Sequence, residues 1–249
     1  MYYYVYDEYI QDPKFERELS LIETRLTDLG ISGKIARLAL FRDARELIRD
    51  EVRKGANTVV AVGNDSTFRK VIDAAADTGA ALAVIPIGGV GTNRMADILG
   101  VPLGVAACDV LSARILEELD TGAVNGNSFL HTVKIENAVA PIIICDGNFK
   151  LSPIKRNSIE IRNLALPDDD VRAANPTDGR LEIVVRVQGR SWIGKKKVTA
   201  SIVPVVEATI TSPEMMSLTI DGEVIESREF KIQTLPKQIK VITGKGRKF

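Results

Sequence analysis

Two short, unbroken apolar runs, Thr58-Val59-Val60-Ala61-Val62 and Leu82-Ala83-Val84-Ile85, each lead into a glycine-bearing turn and then into a segment with helical spacing. An apolar run without alternation predicts a strand buried on both faces. Such strands belong to parallel sheets wrapped by crossover helices. The flanking chain keeps the same rhythm. Asp12-Pro13 reads as an N-cap and first helical residue, and Phe15, Leu19, Ile22, Leu26 and Leu29 recur at steps of four and three until Gly30 stops the helix. Residues 35–40 predict a short strand, Asp43-Ala44-Arg45-Glu46 a capping box, and Leu47, Ile48 and Val52 a second helix ending at Gly55. Phe68, Val71, Ile72 and Ala75 mark a helix after the first buried run. Tyr2, Tyr3, Tyr4 and Tyr6 predict an edge-exposed first strand; no basic residues are interleaved among them, which argues against a base-stacking platform.

After Gly122 the helical periods vanish. Strand-like runs take over, such as Pro141-Ile142-Ile143-Ile144, Ser158-Ile159-Glu160-Ile161, Leu181-Glu182-Ile183-Val184-Val185-Arg186-Val187, Ser201-Ile202-Val203 and Leu218-Thr219-Ile220. Asn125-Gly126, Asp146-Gly147 and Asp221-Gly222 punctuate them with the dipeptides of tight hairpin turns. Residues 166–179 read as a long surface loop, and Lys195-Lys196-Lys197 as a hairpin tip. The expected architecture is therefore α/β plus all-β: a doubly wound parallel-sheet domain over residues 1–122 and an antiparallel β-sandwich domain over residues 123–249.

Length and composition bound the class. The 249 residues carry 33 basic and 33 acidic side chains, so no bulk positive charge is available to displace counterions from nucleic acid. Cys108 and Cys145 are isolated, which rules out a disulfide framework and fits a reducing compartment. His131, the single histidine, has no neighbours that would make it a metal ligand and reads as structural. No signal peptide and no run of 18 apolar residues occurs, so the expectation is a soluble cytoplasmic protein without a transmembrane segment. Residues 228–249 hold seven basic groups against Glu229, an excess compatible with anionic headgroups or with a solvated tail.

The chemistry lies in the two turns after the buried runs. The first is Gly63-Asn64-Asp65-Ser66-Thr67, and the second runs from Gly88-Gly89 through Gly91-Thr92-Asn93. On open parallel sheets, ligands sit beyond the carboxyl ends of the strands, where loop amides and helix N-termini favour negative charge. Glycine lets backbone approach a phosphate, and Thr67 and Thr92 add hydroxyl donors. From spacing alone, phosphate binding and an ordinary strand-to-helix turn capped by Asp65 or Ser66 both remain open.

The order of several segments narrows the choice. Val60-Ala61-Val62-Gly63-Asn64-Asp65-Ser66-Thr67 resembles the Gly-Gly-Asp-Gly-Thr signature of diacylglycerol-kinase-like lipid kinases, the family of the bacterial lipid kinases and sphingosine kinases. Gly91-Thr92-Asn93, Ala96 and Leu99-Gly100-Val101-Pro102 are similar to its second motif, and Val124-Asn125-Gly126 with Phe129-Leu130 to the start of its second domain. Thr177-Asp178-Gly179-Arg180-Leu181-Glu182 and Ile220-Asp221-Gly222-Glu223 resemble its later Asp-Gly segments, in sequence. The resemblance implies ATP and Mg2+ as cofactors and a lipid hydroxyl at a membrane surface as phosphoryl acceptor, in a peripheral protein that a homodimer would also suit. It implies catalytic roles for Asp65, Asp221 and Glu223, the last two also as magnesium ligands. Nucleotide contacts would fall to Gly63, Asn64, Ser66, Thr67, Gly88, Gly89, Gly91, Thr92 and Asn93. Carboxylates near a phosphoryl group suit a reaction that needs positioning, a cation and a base near the attacking hydroxyl.

Asn64 and Ser66 stand where the family has glycine, and Tyr6-Asp7-Glu8-Tyr9 replaces its Asn-Pro-x-Ser/Ala-Gly loop. Arg94-Met95 replace Asp-Phe or His-Phe, and His131-Thr132-Val133-Lys134 stand where Asn and Gly-x-Asp elements belong. Two alternatives follow: a catalytically lapsed relative that binds nucleotide or lipid or serves as a scaffold, and an NAD-kinase-like enzyme, which would share a Gly-Gly-Asp-Gly motif.

Overall fold

All six residues of Thr58–Gly63 and all six of Ala81–Pro86 are buried, and the two segments pair in parallel. The computed structural model describes residues 1–38, 44–136, 138–153, 157–164, 174–188, 198–220 and 223–249. The chain divides into two units, Met1–Glu118 with Ile239–Lys248, and Leu119–Gln238.

The first unit contains β1 (Tyr2–Tyr6), α1 (Glu16–Asp28), β2 (Gly33–Arg37), α2 (Ala44–Arg53), β3 (Thr58–Gly63), α3 (Asp65–Thr78), β4 (Ala81–Pro86), α4 (Arg94–Ile98) and α5 (Ala107–Ala113). Its strands run in parallel in the order β2-β1-β3-β4. α2 packs on α3, and α1 on α5. The apolar residues of β3 and β4 are buried from both sides, each contributing roughly 1.5–3 kcal/mol for a valine- or leucine-sized side chain.

The tyrosine-rich β1 lies between β2 and β3, so the expectation of an edge-exposed first strand is corrected. Tyr3, Tyr4 and Tyr6 are buried. Tyr4 donates its hydroxyl to the Ile31 carbonyl and Tyr6 donates to Glu23, so these rings fill the core with their polar tips satisfied. The capping-box aspartate, Asp43, and the end of the strand expected over residues 35–40 lie outside the described residues.

Strand structure begins earlier than the composition indicated. Arg114 takes a left-handed conformation, φ 51°, that ends α5, and β5 (Ile115–Val124) starts at once. The remaining strands are β6 (Asn127–Phe129), β7 (Thr132–Glu136), β8 (Ile142–Cys145), β9 (Phe149–Leu151), β10 (Asn157–Arg162), β11 (Leu181–Gln188), β12 (Val198–Val205), β13 (Glu207–Ile220) and β14 (Glu223–Thr243). In the second unit the antiparallel order is β12-β11-β10-β7-β13-β14, with β8 between β13 and β9. Inward residues such as Ile135, Ile143, Ile161, Ile183, Ile210 and Phe230 form its core. Asn125-Gly126 and Asp146-Gly147 have positive φ at both positions, as two-residue hairpin turns of the mirror-image type require. Residues 166–173 of the expected loop, the Lys195-Lys196-Lys197 tip and the Asp221-Gly222 turn lie outside the described residues.

The division of the chain differs at its far end from the expected 123–249 domain. Val241 of β14 pairs in parallel with Leu82 of β4, so residues 239–248 belong to the first unit. The physical reason is that β4 is apolar along its whole length and an unpaired edge there would leave ladder groups bare.

One buried charge cluster escaped the sequence pattern. Alternation along β10 puts Ile159 and Ile161 in the core and would leave Glu160 and Arg162 facing solvent, yet both are buried. Glu160 accepts from Arg162 at 2.6 Å and from Arg186 at 2.8 Å, with Lys134 at 3.5 Å. Burial alone would raise the Glu160 carboxyl; the hydrogen bonds from Arg186 and Arg162 outweigh it and hold the group below the usual carboxylate range.

Candidate functional site

The first loop is closed by its own side chains. Asn64, not Asp65 or Ser66, is the N-cap of α3: its Oδ1 accepts from the amides of Ser66 at 2.9 Å and Thr67 at 3.3 Å. Thr67 completes a capping box by accepting from the Asn64 amide through Oγ1 at 3.0 Å. Gly63 is required for this packing, since a Cβ there would collide with the Thr67 side chain. The α3 amides best placed for an anion are therefore taken by a neutral carboxamide. Ser66 itself is exposed.

The segment that replaces the family's first loop covers the same turn. Asp7, 4% exposed, accepts from Thr67 Oγ1 at 2.7 Å, from Lys70 Nζ at 2.9 and 3.2 Å, and from the Glu8 amide at 2.7 Å. Burial works to raise the Asp7 carboxyl, and the hydrogen bonds from Lys70 and Thr67 bring it below its ordinary value. A negative charge is thus fixed beside the α3 N-terminus.

Asp65 links the two loops. Its carboxylate accepts from the amides of Arg94 at 2.8 Å and Met95 at 2.9 Å, the first two residues of α4. Each oxygen keeps acceptor capacity after these bonds. Burial raises the Asp65 carboxyl above its ordinary value, against the lowering effect of the two amides. The alternative of a strand-to-helix turn capped by Asp65 or Ser66 is corrected here: Asn64 caps α3, and the helix that Asp65 caps is α4, with both oxygens used.

The second loop is open. Gly88 has φ +101°, and Gly88, Gly89, Val90, Gly91 and Thr92 are all exposed. A Cβ at Gly89 or Gly91 would meet nothing within 4 Å. Below the loop Asn93 is 2% exposed, and its Nδ2 donates to the carbonyls of Ile87 at 3.1 Å and Gly89 at 2.9 Å. Those two bonds fix the amide's orientation and leave Oδ1 buried without a hydrogen-bond partner. Tyr9 donates to the Ile87 carbonyl at 3.0 Å from the segment after β1. Gly63, Asn64, Asp65, Thr67, Gly88, Thr92 and Asn93 thus fall at the carboxyl ends of β3 and β4, joined through Asp65.

The other candidate carboxylates are placed less fully. Asp221 lies outside the described residues; Glu223 begins β14, its backbone opposite Ile220. Among the described residues no group of three or more His, Cys, Asp and Glu side chains is arranged to hold a metal ion. In the second unit the Asp178-Gly179 segment is anchored by a residue not singled out from sequence. Asp120, 1% exposed, accepts from the Gly179 amide at 2.7 Å and the Lys237 amide at 2.8 Å. Its only signal in the sequence is one aspartate among the otherwise uncharged residues 119–124. His131 precedes β7, and its carbonyl accepts from the amides of Asn163 and Leu164, a structural role.

A parallel sheet with paired glycine-bearing loops, followed by an antiparallel unit, defines the class, and comparison with known proteins supplies the family. Residues 6–124 match the diacylglycerol kinase catalytic domain. That match, over just under half of the chain, makes the protein similar to the diacylglycerol-kinase-like lipid kinase family. A probable YegS-like lipid kinase of Pseudomonas aeruginosa is 38% identical over 91 residues, 36% of this chain and 30% of that protein. A diacylglycerol kinase of Bacillus subtilis is 26% identical over 121 residues, 47% of this chain and 39% of that protein. The matched stretches thus span well under half of these relatives. A diacylglycerol kinase structure from Bacillus anthracis str. Sterne superposes with a TM-score of 0.81 over 99% of this chain and 98% of that one, at 18% identity, which establishes the shared fold. Among the described residues no helix is long and apolar enough to cross a membrane.

Proposed function

We propose that the protein transfers the terminal phosphoryl group of ATP, with Mg2+, to a hydroxyl of a diacylglycerol-like or long-chain lipid at the cytoplasmic surface of a membrane. The observation that carries this reading is the open second loop. Gly88, Gly89 and Gly91 present exposed backbone at the carboxyl end of a buried parallel strand, with nothing within 4 Å of where a Cβ would stand at Gly89 and Gly91, and this fits a phosphate group. The unpartnered Asn93 Oδ1 beneath it is an acceptor without a donor. In this reading the unit of Met1–Glu118 with Ile239–Lys248 holds the nucleotide and the unit of Leu119–Gln238 the lipid. Bound magnesium would neutralise phosphate oxygens, and the family resemblance gives that ion to Asp221 and Glu223. Asp65 holds the two loops in register through α4 and keeps lone pairs for the reacting groups.

The test is transfer of labelled phosphate from ATP to vesicles containing diacylglycerol or a sphingoid base, with magnesium. Labelled lipid is the expected product; none across a broad lipid panel would sink the reading. A second reading is favoured by the capped first loop. With Asn64 on the α3 amides and Asp7 beside them, the chain would be a lapsed relative that binds nucleotide or lipid without turnover. Tight nucleotide binding with no transfer would select it.

A further inference from the structure

α4 has five residues, too few to hold a helix in water by itself. It is fixed from outside at both ends. Its first two amides are capped by Asp65, as described above. Its far end is met by the segment after β14: the Gly244 amide donates to the Leu99 carbonyl at 2.8 Å and the Lys248 amide to the Ile98 carbonyl at 2.9 Å. Lys248 Nζ also reaches both oxygens of Asp97 at 2.6 Å, and Arg247 pairs with Glu117 at 2.7 Å.

Two glycines make this crossing possible. Gly100 has φ +69°, and a Cβ there would strike the backbone of Gly246 and Arg247; a Cβ on Gly244 would strike the Gly100 carbonyl. The two backbones therefore pass at a distance that no side chain permits. The carbonyls that a helix leaves bare at its C-terminus are satisfied here by residues from a remote part of the sequence.

We propose that residues 244–248 act as a strap that positions the second glycine loop, with Gly244 and Lys248 as positioning residues for the nucleotide phosphates. Neither touches the loop. They act through α4, whose first residue directly follows Asn93. Loosening the strap frees α4 at one end, and the loop of residues 88–92 loses the fixed base that holds its amides. The functional half of this inference rests on the nucleotide reading above; the mechanical half does not.

The experiment compares Lys248→Glu, Gly244→Val and the charge swap Asp97→Lys with Lys248→Glu, by amide hydrogen exchange and by calorimetric titration with magnesium ATP. Lys248 and Asp97 are both partly exposed, so Lys248→Glu should fold if Gly244→Val does not. The single charge reversal is expected to speed exchange at residues 88–95 and to weaken ATP binding about two- to fivefold, the scale of a partly exposed ion pair, with the swap restoring both. Unchanged exchange at residues 88–95 in folded Lys248→Glu would overturn the strap. So would altered exchange that the swap fails to restore. Should the parent protein bind no ATP, the nucleotide reading falls, while the exchange measurements still decide whether the strap holds the loop.

Discussion

The hydroxyl of Thr67 donates to the carboxylate of Asp7 at 2.7 Å, tying the first turn of α3 to the end of β1 across 60 residues of sequence. The same hydroxyl accepts from Asn64. One threonine therefore joins the cap of a helix to a buried negative charge, and it is this joint that separates the first loop from an ordinary phosphate cradle.

The two carboxylates of the region should titrate in a definite order. Asp7 lies below its ordinary value and Asp65 above it, so on acidification Asp65 takes its proton first. For Asp7 the folded-state value is depressed: its stabilising contribution is present above the unfolded-state value and is lost as pH falls through the folded one. For Asp65 the folded-state value is raised: its contribution is present below the unfolded-state value and is lost as pH rises through the folded one. Carbon-13 titration of the two carboxyls would check this, and a reversed order would refute the assigned environments.

Asn64→Gly should release the Ser66 and Thr67 amides while weakening the cap of α3 only slightly, because glycine is itself an acceptable N-cap. Two freed donors predict ATP binding tighter by about five- to thirtyfold, from net hydrogen-bond values of about 0.5–1 kcal/mol each. Ser66→Gly should add little, since that side chain is exposed. Unchanged affinity in calorimetry, with stability near that of the parent, would move the obstruction to Asp7 and the segment around it.

Asp65→Asn should destabilise the fold by about 1–3 kcal/mol, because one of two acceptor oxygens becomes a donor facing an amide donor. Protection of the Arg94 and Met95 amides should fall with it, read by denaturation and hydrogen exchange. If stability and protection are unchanged while any transfer rate drops about 10²-fold, Asp65 acts on the reacting groups and not on α4.

Much of the first unit is legible because burial on both faces leaves a strong mark. The unbroken runs in β3 and β4 could fit nothing but a covered sheet, and Gly30 and Gly79 end their helices with positive φ. The position of β1 was not legible, since tyrosine suits an edge as well as a core until its hydroxyl partners are known. The same holds for Glu160 and Arg162, whose alternation matches a solvated face. At the site, the residues of both loops could be named in advance, but not who caps whom. That Asn64 serves α3 while Asp65 reaches forward to α4 depends on the spacing of two loops about 25 residues apart, which no local pattern encodes. The strap was invisible for the same reason: no local pattern around Gly100 or Gly244 encodes that their backbones meet.

The return of residues 239–248 to the first unit sets an order of assembly. On a ribosome, residues 1–118 emerge early, yet the partner of β4 and the donors for the carbonyls of Ile98 and Leu99 are encoded some 120 residues later. Until those residues are made, the edge of β4 and the end of α4 lack these partners. The half of the protein that is translated first thus depends for its remaining strand and helix contacts on residues made about 120 positions later.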